Sequence, residues 1–291
     1  MTLAMKQQNN EVRDQLARSA EGVPLIGWFV YWSITNVKAN YTDLVALMSS
    51  VGLNTDAATP IRGKSAFIRS VEDVAKANNA RHQKILDNEA RTVYIVVKTH
   101  VDSVAMDASF TTETKAIFNK ASETIEVQGP FQSEIQSQYD DLKNNYYSDQ
   151  FRDMILRLMD RHCEYIAIRD RGGIYFVPSL HEEGLDLIKV LFKSFPECYF
   201  ATVGVANMGE AKKEMWRTLM GEVTTELSKM KVDLSTSGPE MSNASMQVRL
   251  DRYQALKQKV ENYEIVLSGT ADALKNELND LTQLLHIKLT T

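Results

Sequence analysis

Six prolines, thirteen glycines and two cysteines are all that the 291 residues supply to break or staple the backbone. Proline removes a helix donor and glycine weakens a helix interior, so their scarcity favours long uninterrupted helices over a many-turned sandwich or barrel. Cys163 and Cys198 are too few for a disulfide framework and read as reduced thiols of a cytoplasmic protein. Long apolar runs are lacking too. The longest, Leu25–Trp32, has eight residues, against roughly 20 for a membrane-spanning helix, so no membrane partner is expected. Met1–Ala20 has no apolar core behind a basic start, which argues against a secretory signal. Nor is there an excess of one charge: 33 Lys plus Arg face 38 Asp plus Glu, a formal charge of −5 with no basic arm. What is present, 44% hydrophobic and 24% charged residues, is the balance of a folded globular chain.

The aromatic, β-favouring segment Leu25–Ile34 reads as a central strand buried on both faces. Tyr41–Val51 reads as a helix capped by Asn40 and stopped by Gly52, and Ser65–Ala77 as a second helix. Thr92–Val101, with pieces at Ala108–Thr112, Thr114–Asn119 and Thr124–Gln128, predicts an antiparallel meander ended by Gly129-Pro130. About 30 helical residues follow. Ile135, Tyr139, Leu142 and Tyr146 share one face, and Ser148 caps a second helix. Glu164–Arg169 and Gly173–Val177 read as a hairpin turning at Asp170-Arg171-Gly172. A helix through Leu185, Ile188, Leu191 and Phe192 and a strand Cys198–Val203 come next.

Beyond residue 205 helix formers take over. Met215, Leu219, Val223, Leu227, Met230 and Leu234 form one stripe. Met246, Leu250, Tyr253, Leu256, Val260 and Tyr263 form a second, behind Ser245 as cap. Leu267, Ala271, Leu274, Leu278, Leu281 and Leu285 then recur at heptad spacing. The fold class is therefore α+β: a mixed or antiparallel sheet body over 1–204 and a helical hairpin or coiled coil over 205–291, whose second arm of about 40 residues would span roughly 60 Å.

Motifs for chemistry are sparse. Gly63-Lys64-Ser65 has the tail of a phosphate-binding loop, but Ala58 stands where the first glycine belongs, Pro60 interrupts, and no strand precedes; a helix start with exposed basic residues is the better account. The His162-Cys163 pair lacks companions at ligand spacing, with His181, Glu182 and Glu183 the residues that would have to assemble with it in space; no metal and no cofactor are expected. No Gly-x-Ser-x-Gly nucleophile signature occurs. Arg169 and Arg171 at a hairpin tip beside Tyr175 and Phe176 suit a nucleic-acid backbone and stacked bases, but the alternation of Ile174 and Phe176 with Tyr175 and Val177 suits a buried strand better.

The Gly-Gly-Ile-Tyr-Phe-Val-Pro run at 172–178, the Trp28–Ile34 strand followed by Val51-Gly52-Leu53, the Ser65–Ser70 stretch and the long helical end together resemble a scattered family of uncharacterised prokaryotic and viral proteins. The resemblance implies one fold and a microbial or phage origin, and carries no catalytic residue. The expected function is a non-catalytic interaction or assembly protein, a homo-oligomer associating through Leu267, Leu274, Leu278, Leu281 and Leu285. The alternative is a nucleic-acid-associated accessory protein using Arg62, Lys64, Arg69, Arg169 and Arg171.

Overall fold

Residues 24–102, 107–168, 173–236, 242–268, 275–276, 278–280 and 282–283 are described in the structure, a computed structural model. It is α+β, and every strand pairing is antiparallel. Two compact units divide it. One is contiguous, residues 35–154; the other combines the chain up to Ile34 with the chain from Ile155 onward. The boundary expected at 204/205 therefore falls inside the second unit, because the helices beyond it share a core with the strands before it.

Strand β1 (Leu25–Ser33) belongs to the discontinuous unit. In the contiguous unit, β2 (Lys38–Asn40) leads into α1 (Tyr41–Ser50), and Asn40 Oδ1 accepts from the backbone N–H groups of Thr42 and Asp43 at 2.9 and 3.3 Å, the expected cap. Helix α2 (Gly63–Ala77) precedes a sheet in the order β3 (Arg81–Asp87), β4 (Arg91–Asp102), β5 (Asp107–Asn119), β6 (Thr124–Gln128). Its core joins Phe67, Val71, Tyr94, Val96, Ala116, Phe118, Ile135 and Tyr139. The two β5 pieces read from the sequence are one strand with a register shift: Val96 faces Thr114 and Val97 faces Thr112, leaving Glu113 as the extra residue. Gly129 packs on that bulge at φ +128°, where a Cβ would stand 2.3 Å from the Glu113 carbonyl oxygen, so only glycine fits.

Helix α3 (Gln132–Asn144) ends sooner than the sequence suggests. Tyr146 sits instead on β7 (Asn145–Tyr147), which pairs with β2, and its hydroxyl donates to the Thr59 carbonyl at 2.6 Å. Ser148, expected as a cap, uses its hydroxyl to accept from the Val37 N–H at 3.0 Å. It opens α4 (Ser148–Cys163).

The discontinuous unit continues with β8 (Ile166–Ala167), β9 (Tyr175–Pro178), α5 (Glu182–Lys193), β10 (Tyr199–Ala206), α6 (Gly209–Thr236) and α7 (Asn243–Leu267), and its sheet runs β10-β1-β9-β8. β1 is central by pairing but not buried on both faces, since Tyr31 is 38% exposed. Ile26, Phe176 and Val205 share one core with Met215, Leu219, Val223, Leu227 and Met230 of α6 and Leu250, Tyr253, Val260 and Tyr263 of α7. Burying each such side chain is worth about 1.5–3 kcal/mol, and the helical periodicity exists to collect that term. Ser242 rather than Ser245 caps α7, accepting from the Ser245 N–H at 3.3 Å.

The expected continuous 40-residue second arm is not observed: α7 ends at Ser268, which adopts a left-handed conformation (φ 55°), and beyond it Lys275 Nζ lies 2.8 Å from Glu264 of α7 while Asn279 Oδ1 accepts from Lys257 Nζ at 2.9 Å. Leu267 and Leu278 are buried in the chain's own core. Leu274, Leu281 and Leu285 lie outside the described residues. Among the described residues no helix is long and apolar enough to cross a membrane.

Candidate functional site

The most elaborate polar arrangement lies in the discontinuous unit, where α6 and α7 face the turn between α4 and β8. Glu164 makes that turn with φ 43°, breaking α4 just after Cys163. Three α7 residues at i, i+3 and i+4 reach it. Lys259 Nζ donates to the Tyr165 carbonyl at 2.7 Å and to Glu222 Oε1 of α6 at 2.6 Å. Asn262 Nδ2 donates to Glu164 Oε2 at 2.8 Å, and the Tyr263 hydroxyl donates to the Glu164 carbonyl at 2.9 Å. His181 Nε2 stands 3.2 Å from Glu164 Oε2 but off the axis of a hydrogen bond. Two neighbouring clefts, of about 650 and 570 Å³, share Asp160, Glu222, Glu226 and Lys259 in their walls.

Electrostatics hold these groups in fixed protonation states. Burial works to raise the Glu164 carboxyl, but the adjoining His181 ring, the Asn262 amide and the Lys259 charge outweigh it and keep the acid below its ordinary value. Burial pushes the Cys163 thiol up to about 12 and the Tyr165 hydroxyl up to about 12, and holds Tyr263 well above the ordinary tyrosine value. Burial also lowers His162, which favours the neutral ring. A thiol or phenol so raised is protonated near neutral pH and is a poor nucleophile. Among the described residues no cluster of three or more His, Cys, Asp or Glu side chains has the geometry to hold a metal ion.

In the contiguous unit the cations read from the sequence behave differently from one another. Lys64 Nζ contacts both oxygens of Asp87, at 3.1 and 3.0 Å, and that carboxylate also takes Lys120 at 2.8 Å, the Thr92 hydroxyl at 3.0 Å and Lys84 at 3.8 Å. The lysine hydrogen bonds, with Thr92, hold Asp87 well below the carboxylate range. Arg62 is exposed at the start of α2 and makes no side-chain cap there. Arg69 is turned sideways, its Nε 3.8 Å from Asp73 and its guanidinium 5.7 Å over the Tyr147 ring. Arg169 and Arg171 lie outside the described residues. Tyr175, the expected stacking surface, is already used: it stacks on Trp32 at 4.7 Å and meets Tyr165 edge-on at 4.9 Å.

Sequence reasoning found Tyr263 only as an apolar stripe position and missed Glu164, Glu222, Lys259 and Asn262. The available signal was the Lys259, Asn262, Tyr263 spacing, but Glu164 stands 98 residues from Asn262, and nothing local links them. No curated protein and no solved structure matches the chain. One family model covers residues 25–291, nearly all of the described chain, and on that match the chain belongs to the family of unknown function DUF6744.

Proposed function

We propose that the protein is a non-catalytic interaction and assembly protein of the cytoplasm, encoded by a microbe or phage, with the Gly-Gly-Ile-Tyr-Phe-Val-Pro run as a mark of its relatives. The observation that carries the reading is the inert state of the cleft groups in the discontinuous unit. Lys259 and Glu222 neutralise each other, the Glu164 carboxylate is engaged by Asn262, and the Cys163 and Tyr165 protons are held too tightly to leave near neutral pH. Such a network fastens α6 and α7 to the sheet; it does not poise an acid against a base. Leu267 and Leu278 are consumed by the chain's own core, so this reading no longer relies on them for association. The test is the mass of the purified protein in solution, with its ultraviolet spectrum. Association above 32.9 kDa without co-purifying nucleic acid supports the reading, and a monomer throughout overturns it.

A second reading, a nucleic-acid-associated accessory protein, is favoured by the convergence of Lys64, Lys84 and Lys120 on the single carboxylate of Asp87, with Arg62 exposed nearby in sequence. Surplus positive charge of this kind suits phosphates without reading bases. It requires salt-dependent binding of an oligonucleotide that weakens in Lys64→Ala and Lys120→Ala. Absence of binding at about 50 mM salt eliminates it.

A further inference from the structure

β10 is the outer strand of the sheet in the discontinuous unit, bonded to β1 on one side and to no strand on the other among the described residues. An open edge presents unpaired N–H and C=O groups to any strand that approaches, so folded proteins commonly blunt such edges by shortness, charge, proline or cover. The remaining edges of the two four-stranded sheets follow that pattern. β8 has two residues, β3 carries Arg81, His82, Lys84 and Asp87, and β6 carries Glu126. β10 differs: its eight residues, Tyr-Phe-Ala-Thr-Val-Gly-Val-Ala, include no charge and no proline.

Its side chains sort by the strand's alternation. Phe200 turns toward α5, 4.8 Å from the Phe192 ring and 6.1 Å from Trp32. Tyr199 and Val203 turn to the opposite face, where they are 57% and 52% exposed, and the ring of Tyr31 lies 6.0 Å from that of Tyr199. An apolar patch thus borders a bare, uncharged backbone edge.

We propose that β10 is a self-association edge: a second copy of this chain pairs its own β10 antiparallel to it across a two-fold axis, joining two four-stranded sheets into one of eight. The inference rests on the assembly reading above and names the surface that reading leaves open. A two-fold pairing sets a strand against itself, so what it demands is self-complementarity. With the axis at Ala201, Tyr199 lies opposite Val203 of the second copy and Phe200 opposite Thr202, so apolar residues meet at both ends, and no like charges face each other. The short, two-residue β8 at the far edge stops growth at two copies. Edge pairing alone sits at the small end of stable interfaces, so the dimer dissociates on dilution.

Sedimentation velocity of the full chain from about 1 µM to about 1 mM tests this. The mass is expected to rise from 32.9 kDa toward twice that value. Val203→Lys and Tyr199→Lys, both at exposed positions, should each weaken dimerisation by at least about tenfold, whereas Val248→Lys, on the exposed side of α7, should leave it unchanged. Circular dichroism checks that each variant folds. Hydrogen exchange on the unmutated protein supplies a reading that does not depend on any variant: β10 amides should gain protection at high concentration. A dimer that survives both β10 substitutions, or β10 amides that exchange alike at both concentrations while the mass doubles, overturns the edge and leaves the assembly reading standing. A chain that stays monomeric throughout overturns both.

Discussion

Two ionic centres in this protein look alike in outline and differ in what they do. At Asp87 three lysines share one carboxylate whose side chain is 27% exposed, and the lysines range from 28% to 51% exposed. At Glu222 one lysine, 13% exposed, is shared between a carboxylate and a backbone carbonyl, and the residues three and four positions further along the same helix bind Glu164. The first centre joins neighbouring surface elements that β3, β4 and α2 already fix. The second binds a turn to helices about 60 to 100 residues away in sequence, and although Glu222 is itself 37% exposed, the lysine that joins it to the Tyr165 carbonyl is the most buried cation of either centre. The number of ion pairs therefore says less than the company they keep.

Substitutions can break that comparison. Lys259→Ala should have the largest effect, costing about 2 kcal/mol in a denaturant titration, because it removes the one group that ties α7 to both the Tyr165 carbonyl and Glu222. Glu164→Gln should cost about 1 kcal/mol at neutral pH, and the cost should shrink in acid. A carboxyl held below its unfolded value contributes stability that is present above the unfolded value and is lost as pH falls through the folded one, so wild type and variant should converge in melting temperature on acidification. At the alkaline end the sign reverses. Tyr165, raised to about 12, contributes stability that is full below the ordinary tyrosine value and lost as pH rises toward 12, so Tyr165→Phe should flatten the alkaline fall in melting temperature. The smallest effect belongs to Asp87→Asn, which should leave the melting temperature essentially unchanged at physiological salt. If the nucleic-acid reading holds, that same variant should bind an oligonucleotide more tightly, as measured by anisotropy at low salt. A large destabilisation by Asp87→Asn, or none by Lys259→Ala, would erase the distinction between the two centres.

Much of the fold was legible because it rests on repetition. The stripes from Met215 to Met230 and from Met246 to Tyr263 are buried nearly as their spacing requires, and Asn40 caps its helix by the ordinary competition between side chain and backbone. Misses came where one residue acts alone. The register shift at Glu113 split one strand into two, and β3 gave no signal because Arg81–Lys84 are exposed and show no alternation. Ser268 ended α7 next to Gly269, the one position where the heptad seam offered a kink, and the spacing beyond it is satisfied by Leu278 meeting the chain's own core rather than by a straight arm. The Glu164 centre was illegible because polar contacts across about 100 residues leave no periodicity.

The order in which the strands are made has a kinetic consequence. β1 takes its partners from β9, where Gly27 faces Pro178, and from β10, where Trp28 faces Gly204, so its hydrogen bonds wait for some 150 to 180 later residues. The contiguous unit ends at Met154, within α4. During synthesis from the N-terminus that unit has all its segments first, while the aromatic strand Leu25–Ser33 emerges early and stays without a ladder. Pairings of such high contact order are slow to form, because the entropy of closing a long segment is paid before the ladder rewards it. A chain released before β10 would display Trp28 and Phe29 with β9 as their only neighbouring strand, and Tyr31 and Trp32, which pair with β10 alone, with none.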